Sequence, residues 1–366
     1  MKICDREWKR EELLKRVGDI SQLAGIRRLE LAEGNEKGVE AAELRSGSGL
    51  RAVILLSRAM DLGFVEYAGR PLCWRSPVGD AHPAFYEPQE DGWLRTFYGG
   101  MMNTCGLTYF GAPCDDAGKR LGVHGRASHL PARLLASEGA WQDGEYRLTL
   151  KGRIRESTLF GENVSLTRTY TMTAGEDRIL LHDVVENEGY RTTEHMILYH
   201  VNVGFPVLDE GSELLLPVRS TRPLTEHAAQ GLADYNRFGT PVAGFQEQVY
   251  LHRLAADGQG RTGAALVNRR FNQGQGLGVY IRFPEAELPC FNQWKMIGEG
   301  TYVVGLEPAN AFVITRARAR ADGSLQFLEP GERRQYHLEL GVLHSNAEIE
   351  SFEGEMKGLV SREPAR

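Results

Sequence analysis

Apolar and polar residues alternate along much of this chain. Tyr146, Leu148 and Leu150 alternate with Glu145, Arg147 and Thr149. Val164, Leu166, Arg168, Tyr170 and Met172 alternate with Ser165, Thr167, Thr169 and Thr171. Towards the end, Tyr336, Leu338, Leu340 and Val342 interleave with Gln335, His337 and Glu339. A period of two marks a strand with one buried face, because successive side chains point to opposite sides of a sheet. Ile179–Val185 and Met196–Val203 are apolar on both phases, which predicts central strands of a large sheet. From about Leu50 onward, clusters of Gly, Asn, Asp and Pro divide the strand-like runs, as in GEDR at 175–178 and DGQG at 257–260. No helical crossover separates them and no fixed-period repeat is visible, which argues against a parallel α/β sheet. The expected fold is mainly β: one large antiparallel β-sandwich with a short N-terminal helix.

That helix is expected over Asp5–Val17. Asp5 can cap it, acidic residues fill its first turn, and Trp8, Leu13, Leu14 and Val17 give an imperfect apolar stripe. The organisation read from the pattern is an N-terminal extension over 1–45, a sandwich domain over 46–345 and a tail over 346–366.

Composition narrows the partners. With 42% hydrophobic and 25% charged residues the chain can build a sizeable core. Its 43 Lys and Arg against 49 Asp and Glu are spread without a basic stripe, so a nucleic-acid partner is not expected. The charged N-terminus carries no apolar signal core, and no apolar run is long enough to cross a membrane, so the expected location is cytoplasmic. Cys4, Cys73, Cys105, Cys114 and Cys290 are odd in number, widely spaced and free of CxxC pairs; free thiols are expected. Nothing in the composition fixes an oligomeric state.

The familiar catalytic signatures GxSxG, HExxH and the P-loop are absent. GQGLG at 274–278 precedes a strand instead of following one, so a dinucleotide loop is not read there. Three polar patches remain. In LGVHGRASHLPA, residues 121–132, His124 and Arg126 are flanked by Gly122 and Gly125, where the backbone can turn tightly and approach a ligand. Arg126 can clamp oxygens, or the patch is a surface loop. In ILYHVNVGFP, residues 197–206, His200 and Asn202 share one face of an apolar strand and need partners or a ligand. In FNQWKMIGEGTYVVGLEPAN, residues 291–310, Glu307 ends a buried apolar run, Trp294 offers a flat face to a sugar ring, and Lys295 adds a donor. A structural ion pair of Glu307 with Arg126 or Lys295 is the plain alternative.

Together, and in this order, the three patches resemble the galactose mutarotase superfamily, the aldose 1-epimerases, and within it a bacterial branch. The resemblance runs from about Leu44 to Leu343 and includes RAMDLGFVEYAGRPLCW at 58–74 and YGGMMNTCGL at 98–107. It implies a small carbohydrate substrate and no cofactor or metal. It implies Glu307 as base at the C1 hydroxyl, His200 as acid at the ring oxygen, and His124 stabilising charge on either oxygen. Asn103 stands near the family's substrate-binding arginine. Arg126 replaces the second glycine of the family's HGG loop, and the family's sugar-binding aspartate has no clear match, Lys295 taking part of its role. With Arg126, Asn202 and Trp294 these residues are the expected substrate contacts. Arg126 and Lys295 also leave an anionic sugar open. Rival readings are a different isomerase or lyase on the same fold and a non-catalytic sugar-binding protein. A metal-dependent isomerase using His124, His200 and Glu307 is the least favoured, because no closely spaced histidine pair anchors a metal.

Overall fold

The computed structural model describes residues 1–3 and 6–361. Among these, two antiparallel sheets carry the fold. A 12-stranded sheet runs, in spatial order, through Val218–Pro223, Gln248–Leu254, Cys290–Gly298, Thr301–Ala309, Thr193–Val203, Met102–Leu107, Asp61–Tyr67, Leu50–Leu55, Glu40–Arg45 and Gly25–Glu30, with two short strands off this path. An 8-stranded sheet runs through Arg133–Gln142, Glu145–Ser157, Asn163–Thr173, Arg178–Asn187, Arg333–Leu343, Leu277–Pro284, Arg261–Asn268 and Glu213–Leu215. The sheets face each other across one apolar core, which makes the expected antiparallel sandwich.

The period-two strands form where the alternation places them. Leu148, Leu150, Leu166, Tyr170, Leu338 and Leu340 of the smaller sheet meet Ile54, Leu62, Tyr199, Val201, Val304 and Leu306 of the larger one. Thr193–Val203 is central and buried on both faces, as its composition predicts. Arg178–Asn187 is also an interior strand, but only one face is covered, and Leu180 is exposed. The outer side of that strand faces no second layer, so its apolar run overstates its burial.

Three sequence expectations need adjustment. The first helix spans only Arg10–Leu14, and Asp5 lies outside the described residues. Within the stretch read as an extension, Gly25–Glu30 and Glu40–Arg45 pair into the edge of the larger sheet. The stretch read as a tail is helical over Asn346–Ser361. Its Ile349, Phe352, Met356 and Leu359 recur at helical spacing and cover Ala265, Val267 and Leu343 on the outside of the smaller sheet.

Arg168 belongs to the inward phase of its strand, and it is fully buried. Its Nη2 lies 2.6 Å from Asp183 and its Nη1 lies 2.9 Å from Asp61. Asp183 belongs to the smaller sheet and Asp61 to the larger one. The Tyr199 hydroxyl donates to Asp183 at 2.8 Å, and Thr104 donates to Asp61 through its hydroxyl at 2.6 Å and its backbone N–H at 3.0 Å. Desolvated charges persist in a core only when paired and hydrogen-bonded, and here every carboxylate has several donors.

Cys73, Cys105, Cys114 and Cys290 are free thiols, and Cys4 lies outside the described residues. Among the described residues no helix is long and apolar enough to cross a membrane.

Replacing Arg168 with Met strands two buried carboxylates. The unfolding free energy from denaturant titration is expected to fall by about 3–5 kcal/mol. A change below about 1 kcal/mol, the size typical of an exposed pair, would show that this ion set does not join the sheets.

Candidate functional site

The site lies on the outer face of the larger sheet, opposite the sandwich core. Thr193–Val203 sends Ile197, Tyr199 and Val201 into the core, so Leu198, His200 and Asn202 point outward. Glu307 and Gly305 share the outward face of Thr301–Ala309, and Trp294 and Asn292 share that of Cys290–Gly298, where Trp294 pairs with Gly305 and Asn292 with Glu307. Asn103 stands opposite His200 on the neighbouring strand.

Loops complete the walls. Arg58 is fully buried and donates to the carbonyls of Ser128, Ala81 and Thr96 at 2.6, 2.7 and 3.0 Å. One guanidinium thereby gathers three loops over the sheet. Trp93 and Phe97 stack at 4.6 Å between ring centroids. Phe97 lies 5.5 Å from the His200 ring and Trp294 lies 5.6 Å from it. The result is a groove of about 410 Å³ lined by Trp93, Phe97, Trp294, His124, His200 and Glu307, with Asp91 and Glu247 among its further carboxylates.

His200 Nε2 approaches Glu307 Oε1 at 3.3 Å, and both side chains are almost wholly buried. The approach is off the line of a formed hydrogen bond, and Oε1 is left without one. Gly305 makes the approach feasible: a Cβ there would fall against Oε1 of Glu307 and lie 3.2 Å from Cε1 of His200. His124 sits with its ring centroid 5.8 Å from that of His200, nearly perpendicular to it. Its backbone is left-handed, with φ of 56°, and Gly125 beside it has φ of 72°, where a Cβ would strike the Tyr109 carbonyl. The glycine is required there by both angle and space.

Burial sets the proton affinities. It raises Glu307 to about 8, with a smaller contribution from the Glu247 charge. It lowers His200 to about 3, with His124 adding to the effect, and it lowers His124 as well. At neutral pH the His200–Glu307 pair therefore holds one proton between its two members. Beneath them, Asn202 Nδ2 donates to the Asn103 Oδ1 at 3.2 Å and to the His200 carbonyl at 3.0 Å. Asn103 Nδ2, Asn202 Oδ1 and the Nδ1 atoms of His124 and His200 are buried without formed hydrogen bonds. So many orphaned polar atoms in one place suit a site that completes them with a polar ligand.

Of the residues expected here, His124, His200, Glu307 and Trp294 line the groove, and Asn103 and Asn202 lie in the sheet beside His200. Two do not join them. Lys295 follows Trp294 on a strand and so points to the other face, where its ammonium donates to the carbonyls of Asp234 and Arg237 at 2.7 and 2.8 Å. Arg126 lines a separate cavity behind the loop. Neither pairs with Glu307. Trp93, Phe97 and Glu247 were not expected. Glu247 accepts the Trp294 indole N–H at 2.7 Å. Trp93 comes from the 3-10 segment Gly92–Thr96 and Phe97 from the residue that caps it, where the spacing carries no strand or helix signal. Among the described residues no set of three His, Cys, Asp or Glu side chains is arranged to hold a metal.

Residues 36–342 match the family described as a domain of unknown function, DUF4432, and the chain belongs to that family. No curated protein matches it. A crystal structure from Klebsiella pneumoniae titled a "putative aldose 1-epimerase" is similar at 28% identity and a TM-score of 0.88, over 94% of this chain and 91% of that one. A galactose mutarotase-like protein from Clostridium acetobutylicum shares the fold at 9% identity and a TM-score of 0.63, over 88% and 99% of the two chains. The galactose 1-epimerase of Lactobacillus acidophilus does so at 12% and 0.57, over 88% and 100%. The fold is that of the carbohydrate epimerases.

The proton affinities carry opposite stability signatures. Glu307 is raised in the folded state, so its contribution is full below pH 4.5 and lost as pH rises to about 8. His200 is depressed, so folding is disfavoured progressively as pH falls from 6.5 to about 3. The stability difference between wild type and Glu307→Gln should therefore decline from pH 4.5 to about 8 and then level off, and the Glu307 carboxyl ¹³C resonance should titrate near 8. A midpoint in the ordinary carboxylate range would contradict the buried acid.

Proposed function

We propose that the protein is a carbohydrate epimerase that interconverts the anomers of a neutral cyclic sugar. The observation that carries this reading is the 3.3 Å approach of His200 Nε2 to Glu307 Oε1 at the buried base of an aromatic groove. The hydroxyl and ring oxygens of a hemiacetal are bonded to the same carbon, so an acid and a base this close reach both.

The chemistry follows from the single shared proton. In the free protein burial holds that proton on Glu307; the reactive tautomer carries it on the imidazole, and from it Glu307 takes the proton of the C1 hydroxyl while His200 protonates the ring oxygen. The bond from C1 to the ring oxygen breaks and the open-chain aldehyde forms, leaving Glu307 protonated and His200 neutral. Rotation about the bond to C2 presents the other carbonyl face. Ring closure runs the two transfers backwards and restores the pair. The pair holds one proton in total before and after, so no exchange with solvent is needed. His124, beside His200, supports charge on the reacting oxygens, and the orphaned atoms of Asn103 and Asn202 serve the polar side of the sugar or order His200.

The substrate class follows from the walls. Trp93, Phe97 and Trp294 offer apolar faces to the C–H side of a sugar ring. Among the described residues no Lys or Arg lines the groove, whereas Asp91, Glu247 and Glu307 do. A phosphorylated or acidic sugar would bury its charge there against carboxylates, without a cation.

The test is Glu307→Gln, measured by saturation-transfer NMR of anomer exchange together with sugar affinity and the unfolding midpoint. Exchange of a neutral aldose should fall by about 10²–10⁴-fold, the usual worth of a positioned general base. Affinity should change far less, because the amide still hydrogen-bonds a hydroxyl. A folded variant with wild-type exchange would defeat the assignment of Glu307. A wild type that binds neutral sugars yet accelerates exchange of none would make the protein a sugar binder.

A further inference from the structure

A second cavity, of about 510 Å³, lies behind the loop that carries His124. Gly122, Gly125 and Arg126 line it, whereas Val123 and His124 of the same loop line the groove. The loop is a partition, and the two spaces it separates have opposite electrostatics. Among the described residues the groove has carboxylates and no Lys or Arg. The second cavity has Lys119, Arg120, Arg126 and Arg316 against Glu156 and Glu162.

Much of that charge is cancelled locally. Lys119 donates to Glu162 at 2.8 Å, and Arg120 pairs with Glu90. Glu156 accepts from the Leu107 N–H at 2.8 Å and the Thr108 hydroxyl at 2.7 Å, and burial raises its pKa, which favours its neutral form. Two cations remain less satisfied. Arg316 is 1% exposed; its Nε donates to Asp116 at 2.7 Å and its Nη1 to the Thr108 carbonyl at 3.1 Å, but Nη2 is buried without a partner. Arg126 makes no ion pair or side-chain hydrogen bond to the described residues, and it is exposed at the cavity. The buried Tyr109 hydroxyl, also in the lining, has beside it the Cys114 thiol, a weak acceptor.

We propose that this cavity is an anion site for a phosphate-bearing small molecule, its phosphoryl oxygens meeting Arg126, Nη2 of Arg316 and the Tyr109 hydroxyl. A buried guanidinium N–H without an acceptor is unfavourable, and a phosphoryl oxygen supplies the charge-assisted bond it lacks. The volume exceeds what a bare phosphate fills, which leaves room for an attached organic group. The site is distinct from the sugar groove yet touches it mechanically. Arg126 is two residues from His124, the Arg126 N–H donates to the Gly106 carbonyl at 3.2 Å, and the Gly106 N–H donates to the His124 carbonyl at 3.1 Å. An anion that draws in Arg126 therefore acts on the backbone that sets His124.

Isothermal titration calorimetry on the full chain tests this with inorganic phosphate and with a hexose 6-phosphate, using sodium chloride at matched ionic strength as the blank. Saturable binding of at least one phosphate is expected. Arg126→Gln should weaken it by about 10-fold or more, the loss of one charge-assisted bond. Tyr109→Phe should weaken it by less. Arg126 is exposed and unpaired, so its variant should keep the wild-type unfolding midpoint. The ¹⁵N resonances of His124 should shift with the same midpoint as the calorimetric curve, and should not do so in Arg126→Gln. Binding of the free ion alone would identify a simple oxyanion site, and binding of the sugar phosphate alone would show that the organic group is also recognised. No saturable binding of either overturns the proposal. So does binding that both variants leave unchanged, or a response that chloride reproduces.

Discussion

A guanidinium held between two sheets cannot be left without its carboxylates. Arg168 reaches one of them on its own sheet and the other across the core, and all three groups are closed to water. Sliding either sheet would separate a charge from its partner, and slipping one strand by a single residue would send its alternation to the wrong face. The same ion set orders the far side of the larger sheet. Tyr199 bonds Asp183 and Thr104 bonds Asp61, and each is the immediate neighbour of an outward-facing site residue, His200 in one case and Asn103 in the other. Fixing the inward side chain fixes where the outward one stands. The core thus provides rigid support for two of the groups around the candidate chemistry.

On the outer face the physical logic is reversed. Charges in the core are paired and satisfied, whereas the polar atoms in the groove are brought together and left with bonds unmade. Burial drives a carboxyl and an imidazole towards their neutral forms, and placing them side by side makes the location of one proton the variable that a ligand can change. The aromatic rings around His200 help to keep water from competing for that proton.

The sandwich was legible because alternation is a local property that survives folding. Arg168 stands in the inward phase between Leu166 and Tyr170, but its need for a carboxylate partner became plain only in the structure. Two of the three polar patches stood out because His200 and Glu307 interrupt apolar strands, and the third stood out by the glycines that flank His124. Other assignments required geometry. Trp294 and Lys295 are adjacent on a strand, so only one of them can face the groove. Arg126 stands next to Gly125, and nothing in the string HGR says on which side of the loop its side chain emerges. Trp93 and Phe97 reach the site from a 3-10 turn and its end, held by Arg58 through the Thr96 carbonyl 38 residues away in sequence. The C-terminal helix carries Ile349, Phe352, Met356 and Leu359 at helical spacing in the stretch read as a tail.

Gly305 contributes no functional group, yet the His200–Glu307 approach depends on the space above its Cα. A role of this kind belongs to a volume, not to a reactive atom. No chemical modification can probe it, and no added small molecule can rescue it, since the defect in any variant is something present and not something lost. In a saturation mutagenesis experiment such a position would behave like a reactive side chain while having none. The extent of a site defined by intolerance to substitution would then exceed the extent defined by chemistry, and the difference between the two would measure how much of the site is shape.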